Sequence, residues 1–239
     1  MIVRALHPDA EEGIDLGSPD GLDRITRLYG VPKAEWLRIN LVASVNGNAA
    51  DDNGTSEGLS SRIDRKILGV IRRASDVVLV GASSVRIEGY LLPRTARLAI
   101  VSASGDLSGH AIPAGTEPGR VLILCTQDGL SSARATLHGV TADIVVLPDT
   151  GGRIAPVDVV AALHARDLMR IVCEGGPSLA GQLLDAGLVD ELCLTTSPVL
   201  GATTMPMFGT TLLGERRVRL AGLLIDDSSA LYARWAVEN

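Results

Sequence analysis

Aromatic side chains are scarce in this 239-residue chain, which has one Phe, three Tyr and two Trp, or 3% of the sequence. A core must therefore come from Ala, Val, Leu and Ile, and a hydrophobic content of 46% is enough to build one and to exclude disorder. Lysine is nearly missing, with Lys33 and Lys66 standing beside 20 arginines, a skew that carries no functional weight. The 22 basic and 28 acidic residues leave a net charge of −6, so the cationic surplus that would neutralise a nucleic-acid backbone is lacking. No nucleic acid is expected as a partner. The three cysteines, Cys125, Cys173 and Cys193, sit in apolar runs without paired spacing. They argue against a disulfide framework and for a reducing, cytoplasmic setting. The opening MIVRALHPDAEE turns acidic before any apolar run of signal length, so no secretory signal is expected.

Familiar anchors of chemistry are also missing. The sequence has no CxxC, no His-x-Glu with a Pro-Cys-x-x-Cys, no Walker A and no GxGxxG, and its one GxSxG, Gly54-Thr-Ser-Glu-Gly58, stands in an acidic, turn-rich stretch and not on a strand-to-helix elbow. Zinc deaminase, α/β-hydrolase, P-loop and Rossmann readings lose their usual support. His7, His110, His138 and His164 lack ligand spacing, and no metal site is expected. One uncharged stretch, Leu192 to Gly214, is long enough to cross a bilayer, but it holds Pro198, Pro206, three glycines and six threonines. It reads as a buried strand followed by a loop.

What is there is an alternation. Residues 1–35 are rich in turn formers and are expected to form an extension packed on the main domain. From Trp36, apolar runs rich in β-branched residues predict strands over 37–43, 76–82, 97–103, 120–125, 143–148, 170–175 and 191–197. Helical patterns fall between several of them, at 61–74, 128–138, from Pro156, and at 178–187. In the first of these helices Ile63, Ile67, Val70, Ile71 and Ala74 recur at helical spacing, Ser60 or Ser61 can cap the start, and Arg72 and Arg73 suit the negative end. The final runs RLAGLLID and ALYARWAV flank Asp226 to Ser229 and read as a hairpin. Near-continuous apolar strands are covered on both faces, so the expected fold is α/β with three layers and a mixed, mostly parallel sheet closed by that antiparallel hairpin.

Three strand exits could carry a site. The run Ile171-Val-Cys-Glu-Gly-Gly-Pro-Ser-Leu-Ala-Gly181 passes from a buried strand through glycines into a helix. Free N–H groups at a helix start attract anions, and glycines let a phosphate approach. The same run also serves as a plain Gly-Pro turn. Leu79-Val-Gly81-Ala-Ser-Ser84 likewise leaves a strand through small residues, and Ala43-Ser-Val-Asn46-Gly47 closes the first core strand with a polar turn that could be a simple hairpin. In an open α/β sheet the ligand crevice lies beyond the carboxyl ends of the strands, where all three exits belong.

Taken together, ASVNGNAA, ASDVVLVGASSVRIEGY and CEGGPSLAGQLLDAGLVDELCLTTSPVLG resemble the pyrimidine reductase domains of riboflavin biosynthesis, a family related in fold to dihydrofolate reductase. The resemblance covers roughly residues 36–237, and Ser84 to Tyr90 is similar to the stand-alone actinobacterial branch. It implies a reductase domain over residues 36–239, cytoplasmic and homodimeric. The reaction it implies is reduction of the ribosyl side chain of 5-amino-6-(5-phosphoribosylamino)uracil to the ribityl form by NADPH. The resemblance places the cofactor against Val42, Gly81, Ser84 and Glu88, with its phosphates at Gly175, Gly176, Pro177, Ser178, Leu179, Ala180, Gly181 and Gln182. Ser56, Arg72 and Glu174 match substrate positions, and Arg94 is a rival partner for the substrate phosphate.

One departure matters. The family's Ser-Leu-Asp-Gly reads Ser44-Val45-Asn46-Gly47 here, and an amide cannot carry the proton a carboxylate could. Asn46 and Glu174 are the candidate catalytic residues. A pterin or dihydrofolate reductase on the same fold, and a nucleotide-binding protein without turnover, are the competing readings.

Overall fold

The computed structural model describes residues 1–90, 92–201 and 205–238. In chain order the elements are β1 (Ile2–His7), β2 (Glu11–Asp15), α1 (Pro19–Leu28), β3 (Trp36–Ser44), α2 (Arg62–Arg73), β4 (Val77–Gly81), α3 (Ala82–Ile87), β5 (Arg97–Val101) and β6 (Val121–Cys125). They continue with α4 (Leu130–Thr136), β7 (Asp143–Val146), β8 (Asp149–Thr150), β9 (Arg153–Ile154), α5 (Pro156–His164) and β10 (Arg170–Cys173). The last are α6 (Pro177–Asp185), β11 (Glu191–Ser197), β12 (Val218–Asp226) and β13 (Leu231–Val237).

An 11-stranded sheet runs in the order β2-β1-β12-β13-β11-β3-β10-β4-β5-β6-β7. From β11 to β7 every neighbouring pair is parallel, and from β2 to β11 every pair is antiparallel. Alternation along the parallel strands supplies two separate cores. Val78, Val80, Leu98, Ile100, Val121 and Ile123 face Ile25 of α1, Ile67, Val70 and Ile71 of α2, Val85 of α3 and Ala133 of α4. Leu37, Ile39, Val77, Leu79, Leu122 and Leu124 face Val159 and Leu163 of α5 and Leu179 and Leu183 of α6. The result is the three-layer α/β fold with a mixed sheet. Each fully buried Val, Leu or Ile contributes about 1.5–3 kcal/mol, so the two aliphatic cores need no rings.

Residues 1–35 supply β1, β2 and α1, and β1 pairs antiparallel with β12 to lengthen the sheet at that edge. Turn-rich sequence hid these short strands. The closing hairpin forms at Asp226, whose carboxylate accepts the N–H groups of Ser228 (2.8 Å) and Ala230 (3.0 Å), with Ser229 left-handed between them. The uncharged stretch becomes β11 and a loop, except that residues 202–204 lie outside the described residues. Among the described residues no helix is long and apolar enough to cross a membrane. All three cysteines are free and buried, and burial pushes the thiols of Cys173 and Cys193 up to about 12.

Where the parallel and antiparallel halves meet, three charges are buried together. Glu191 of β11 accepts Arg38 Nε of β3 at 2.5 Å, and Arg234 of β13 through Nη2 at 2.7 Å and Nε at 2.8 Å. Arg38 Nη2 also donates to the Tyr29 carbonyl (3.1 Å), and the Arg234 guanidinium sits 5.3 Å from the Tyr29 ring centre. The Arg38 and Glu191 side chains are each only 2% exposed. Removing the anion leaves two arginines facing each other in the interior. Glu191→Ala is expected to lower unfolding free energy by about 3–5 kcal/mol, read from urea midpoints, whereas a change below 1 kcal/mol would show that the triad is not what joins the halves.

Candidate active site

Because β11, β3, β10, β4, β5 and β6 run parallel, their carboxyl ends gather on one edge, and a cleft of about 1620 Å³ opens there. Its walls come from Val42 at the end of β3, the β4–α3 exit, Ser102 to Ser104 after β5, Thr126 after β6, the β10–α6 turn, the loop around Ser56 and the β8–β9 hairpin.

The β10–α6 turn is stitched to β4. Glu174 N–H donates to the Leu79 carbonyl (3.0 Å), and Gly81 N–H donates to the Gly175 carbonyl (2.8 Å). Gly175 has φ +102°, where a side chain is strained, and the Gly175–Gly176 peptide is cis. A Cβ on Gly176 would lie 2.8 Å from Ser84 Oγ. Gly176 caps α6 with extended backbone, Pro177 opens the helix, and no side chain caps its first turn. Backbone donors therefore face the cleft with the positive end of the helix behind them.

Beside this turn lies a cluster of charged and phenolic groups. Arg72, in the last turn of α2, grips Glu174 with both prongs of its fork, Nε to Oε1 at 2.7 Å and Nη2 to Oε2 at 2.6 Å. Arg72 Nη2 also donates to Tyr90 Oη (2.7 Å), and the Tyr90 hydroxyl donates to Glu174 Oε2. Burial works against the Arg72 charge, yet Glu174 and Tyr90 together raise its pKa above the usual arginine range. Tyr90 is held well above its ordinary range by burial and by the Glu174 charge.

Asp64, one turn into α2, lines the same cleft in a different setting. Ser60 Oγ donates to Oδ2 and Thr195 Oγ1 to Oδ1, each at 2.6 Å. Burial raises its pKa, those two hydroxyls oppose the rise, and the Glu174 charge adds to it.

The cleft brings together Val42, Ser56, Arg72, Gly81, Ser84, Glu88 and Glu174 with Gly175, Gly176, Pro177, Ser178, Leu179 and Gln182. Ser56, expected against substrate, donates to Glu88, expected against cofactor, at 2.8 Å. Four expected residues are not brought there. Ala180 is fully buried in the core, and Gly181 packs where a Cβ would meet the Phe208 carbonyl at 2.5 Å. Arg94 lies on the surface outside the cleft lining. Asn46 is exposed and ties two loops together, accepting from Ser44 Oγ (2.7 Å) and Gly201 N–H (3.2 Å) and donating to the Gly201 carbonyl (2.9 Å). Its amide clamps the β3 exit to the β11 exit, outside the cleft lining. Sequence reasoning missed Asp64 and Tyr90. Asp64 occupies the third position of a helix capped by Ser61, which accepts its N–H at 3.0 Å, and there an acidic residue is explained by the helix dipole alone. Among the described residues no group of His, Cys, Asp and Glu is placed to hold a metal ion.

Residues 35–231 match the family described as the RibD C-terminal domain. The riboflavin biosynthesis protein RibD of Mycobacterium tuberculosis is 30% identical over 171 residues, which is 72% of this chain and 43% of that protein. The 2,5-diamino-6-ribosylamino-4(3H)-pyrimidinone 5′-phosphate reductase of Archaeoglobus fulgidus is 25% identical over 186 residues, 69% of this chain and 80% of that one. The chain spans about half the length of the RibD proteins it matches. In fold it is similar to the crystal structure of a pyrimidine reductase-like protein from Corynebacterium diphtheriae, with a TM-score of 0.73, 24% identity, and coverage of 86% and 92% of the two chains.

The Arg72 fork is the element whose removal isolates a buried carboxylate, since the Glu174 side chain is only 6% exposed. Arg72→Met is expected to destabilise by about 3 kcal/mol, read from urea midpoints, and a change below about 1 kcal/mol would show that the Tyr90 hydroxyl suffices to hold the buried carboxylate.

Proposed function

The chain belongs to the family of RibD C-terminal domains, and from that premise we propose that it is a reductase of phosphoribosylated pyrimidines. The substrate is 5-amino-6-(5-phosphoribosylamino)uracil and the reductant NADPH, which when bound supplies a hydride. One observation supports this most directly, an uncapped helix start and its glycine turn opening beside the Arg72–Glu174–Tyr90 cluster in one continuous cleft. The volume of about 1620 Å³ exceeds the 300–1,000 Å³ usual for a single small ligand, so a dinucleotide and a nucleotide fit side by side.

The residues present suit such a cofactor. Backbone donors at the α6 start suit its pyrophosphate, and Gly176 leaves open the space a side chain would fill. Arg86 and Arg153 also line the cleft and are cations of the kind a 2′-phosphate requires, which favours NADPH over NADH. The chain's own work is to bind, orient and fix charge. Arg72 and Tyr90 hold Glu174 in one rotamer, Ser56 and Glu88 join the loop at 49–60 to the α3 end, and the Asn46–Gly201 clamp sets the rim. The reading includes a cytoplasmic homodimer, for which the exposed Leu200 and Leu212 offer apolar surface.

NADPH absorbance followed with the deaminated pyrimidine ribotide, and in parallel with dihydrofolate, tests the assignment. Oxidation with the ribotide alone is expected; oxidation with dihydrofolate alone would move the function to folate chemistry. Gly176→Asp places a carboxylate at the α6 start, where it caps the helix but repels phosphate. Thermal stability is expected to hold while NADPH affinity falls at least about tenfold, and unchanged affinity would remove the turn from the cofactor site.

A further inference from the structure

Reducing a ring-closed ribosylamine requires more than a hydride. The C1′–O4′ bond must break, and the departing O4′ needs a proton. Asn46 cannot give one, since its amide has no acidic proton and is committed to Gly201 outside the cleft. Of the carboxylates that line the cleft, which also include Glu88, Asp128, Asp149 and Asp185, Asp64 and Glu174 feel each other's charge, and their surroundings differ. Glu174 accepts both prongs of the Arg72 fork and the Tyr90 hydroxyl, so a guanidinium faces it directly. Asp64 is buried, and its carboxylate oxygens are met by the neutral hydroxyls of Ser60 and Thr195. Paired carboxylates in unlike surroundings divide into an acid and a permanent anion.

Resting on the reading above, we propose that Asp64 is the acid of the reduction, delivering its proton to O4′ of the substrate ribose as the ring opens. The C1′–O4′ bond breaks as O4′ takes the Asp64 proton, and the nitrogen lone pair forms a C1′=N bond. A hydride from the reduced nicotinamide then adds to C1′, and the C=N pair returns to nitrogen. The substrate gains one hydride and one proton, the nicotinamide is oxidised, and Asp64 is left as an anion that solvent reprotonates. Several neighbours set when Asp64 holds its proton. Burial favours the neutral form, as does Glu174 from β10, while Arg65 on its own helix and the Ser60 and Thr195 hydroxyls favour the anion. From β13 Tyr232 feels the Asp64 charge, and its hydroxyl donates to Asp226 of β12 at 2.7 Å. A carboxyl whose folded pKa is raised keeps its proton at pH values where an exposed aspartate has lost it, and loses it as pH climbs through that raised value.

Single-turnover NADPH oxidation by the full chain with the pyrimidine ribotide, measured against pH for the wild type, Asp64→Asn and Asp64→Glu, tests the assignment. The wild-type rate is expected to fall on the alkaline side. Asp64→Asn is expected to lose about 10²–10⁴-fold in rate and the alkaline fall with it, while ribotide affinity stays near wild type. Asp64→Glu should recover part of the rate with a displaced pH limb. Independently of turnover, infrared spectra should show a protonated-carboxyl band that persists to higher pH than exposed aspartates allow and that Asp64→Asn lacks. A wild-type rate, or an intact alkaline limb, in Asp64→Asn overturns the assignment, and so does a loss confined to affinity. A wild-type chain that leaves NADPH unoxidised with the ribotide overturns the reductase reading itself, which the wild-type arm reveals separately from the variants.

Discussion

The buried charge triad of Arg38, Glu191 and Arg234 sits where a parallel sheet becomes an antiparallel one. Burying Arg38 and Glu191 among aliphatic side chains, with Arg234 partly buried beside them, is costly, and the cost is offset only when the groups meet at close range. That requirement makes the triad a register device. Glu191 stands opposite Arg38 in the parallel pairing, so Thr195 falls beside Val42 and Ser197 beside Ser44. Side chains alternate with period two, and a slip of one residue would turn Thr195 away from α2 and away from Asp64. The geometry of the cleft is thus inherited from an ionic contact at the other end of the same strands.

Within the cleft the same economy of charge divides labour. Glu174 and Asp64 reach one cavity from β10 and α2, but only Glu174 receives a guanidinium. The fork that neutralises Glu174 also keeps Arg72 in place, and Tyr90 closes the triangle from the far side of α3. Arg72 was legible as a helix-end cation complementing the dipole and also as a ligand-facing group. The fold puts it in the last turn of α2, which is the part of that helix that reaches the strand ends, and on the wall of the cleft.

The alternation of apolar strands with amphipathic helices made the layers legible from composition and period. Strand boundaries such as Val121–Cys125 and helix ends such as Arg62–Arg73 agree within a residue or two with the pattern. What stayed hidden has specific causes. β1 and β2 are short edge elements with charged residues and glycine, as in EEGID, so their alternation is broken. α3 is six residues, small and β-branched but for Arg86, without a capping side chain and too short to set up a helical stripe. Among site residues, those on the glycine turn could be read because backbone conformation restricts which residues stand there. Asp64 could not, because its sequence neighbours explain it fully and only the packing of Thr195, 131 positions away, shows where its carboxylate is held. Asn46 was read as chemistry because it stands where the resembling family has an aspartate, and what the sequence did not show is that its amide bonds to Ser44 and to Gly201, 155 positions away.

The glycines of the β10–α6 turn answer to two demands that a sequence cannot separate. Gly175 is required by its own backbone, at φ +102°, and Gly181 by the Phe208 carbonyl that a Cβ would strike at 2.5 Å. Neither needs a ligand to explain it. Gly176 is different, because its φ of −64° and ψ of 176° are open to any residue and the only group a Cβ would crowd is the far end of Ser84, a side chain able to turn aside. Packing alone would tolerate alanine there. The open space at Gly176, at the start of an uncapped helix and on the wall of the cleft, is therefore the part of the turn that packing leaves unexplained, and it is where the proposed cofactor phosphates would sit.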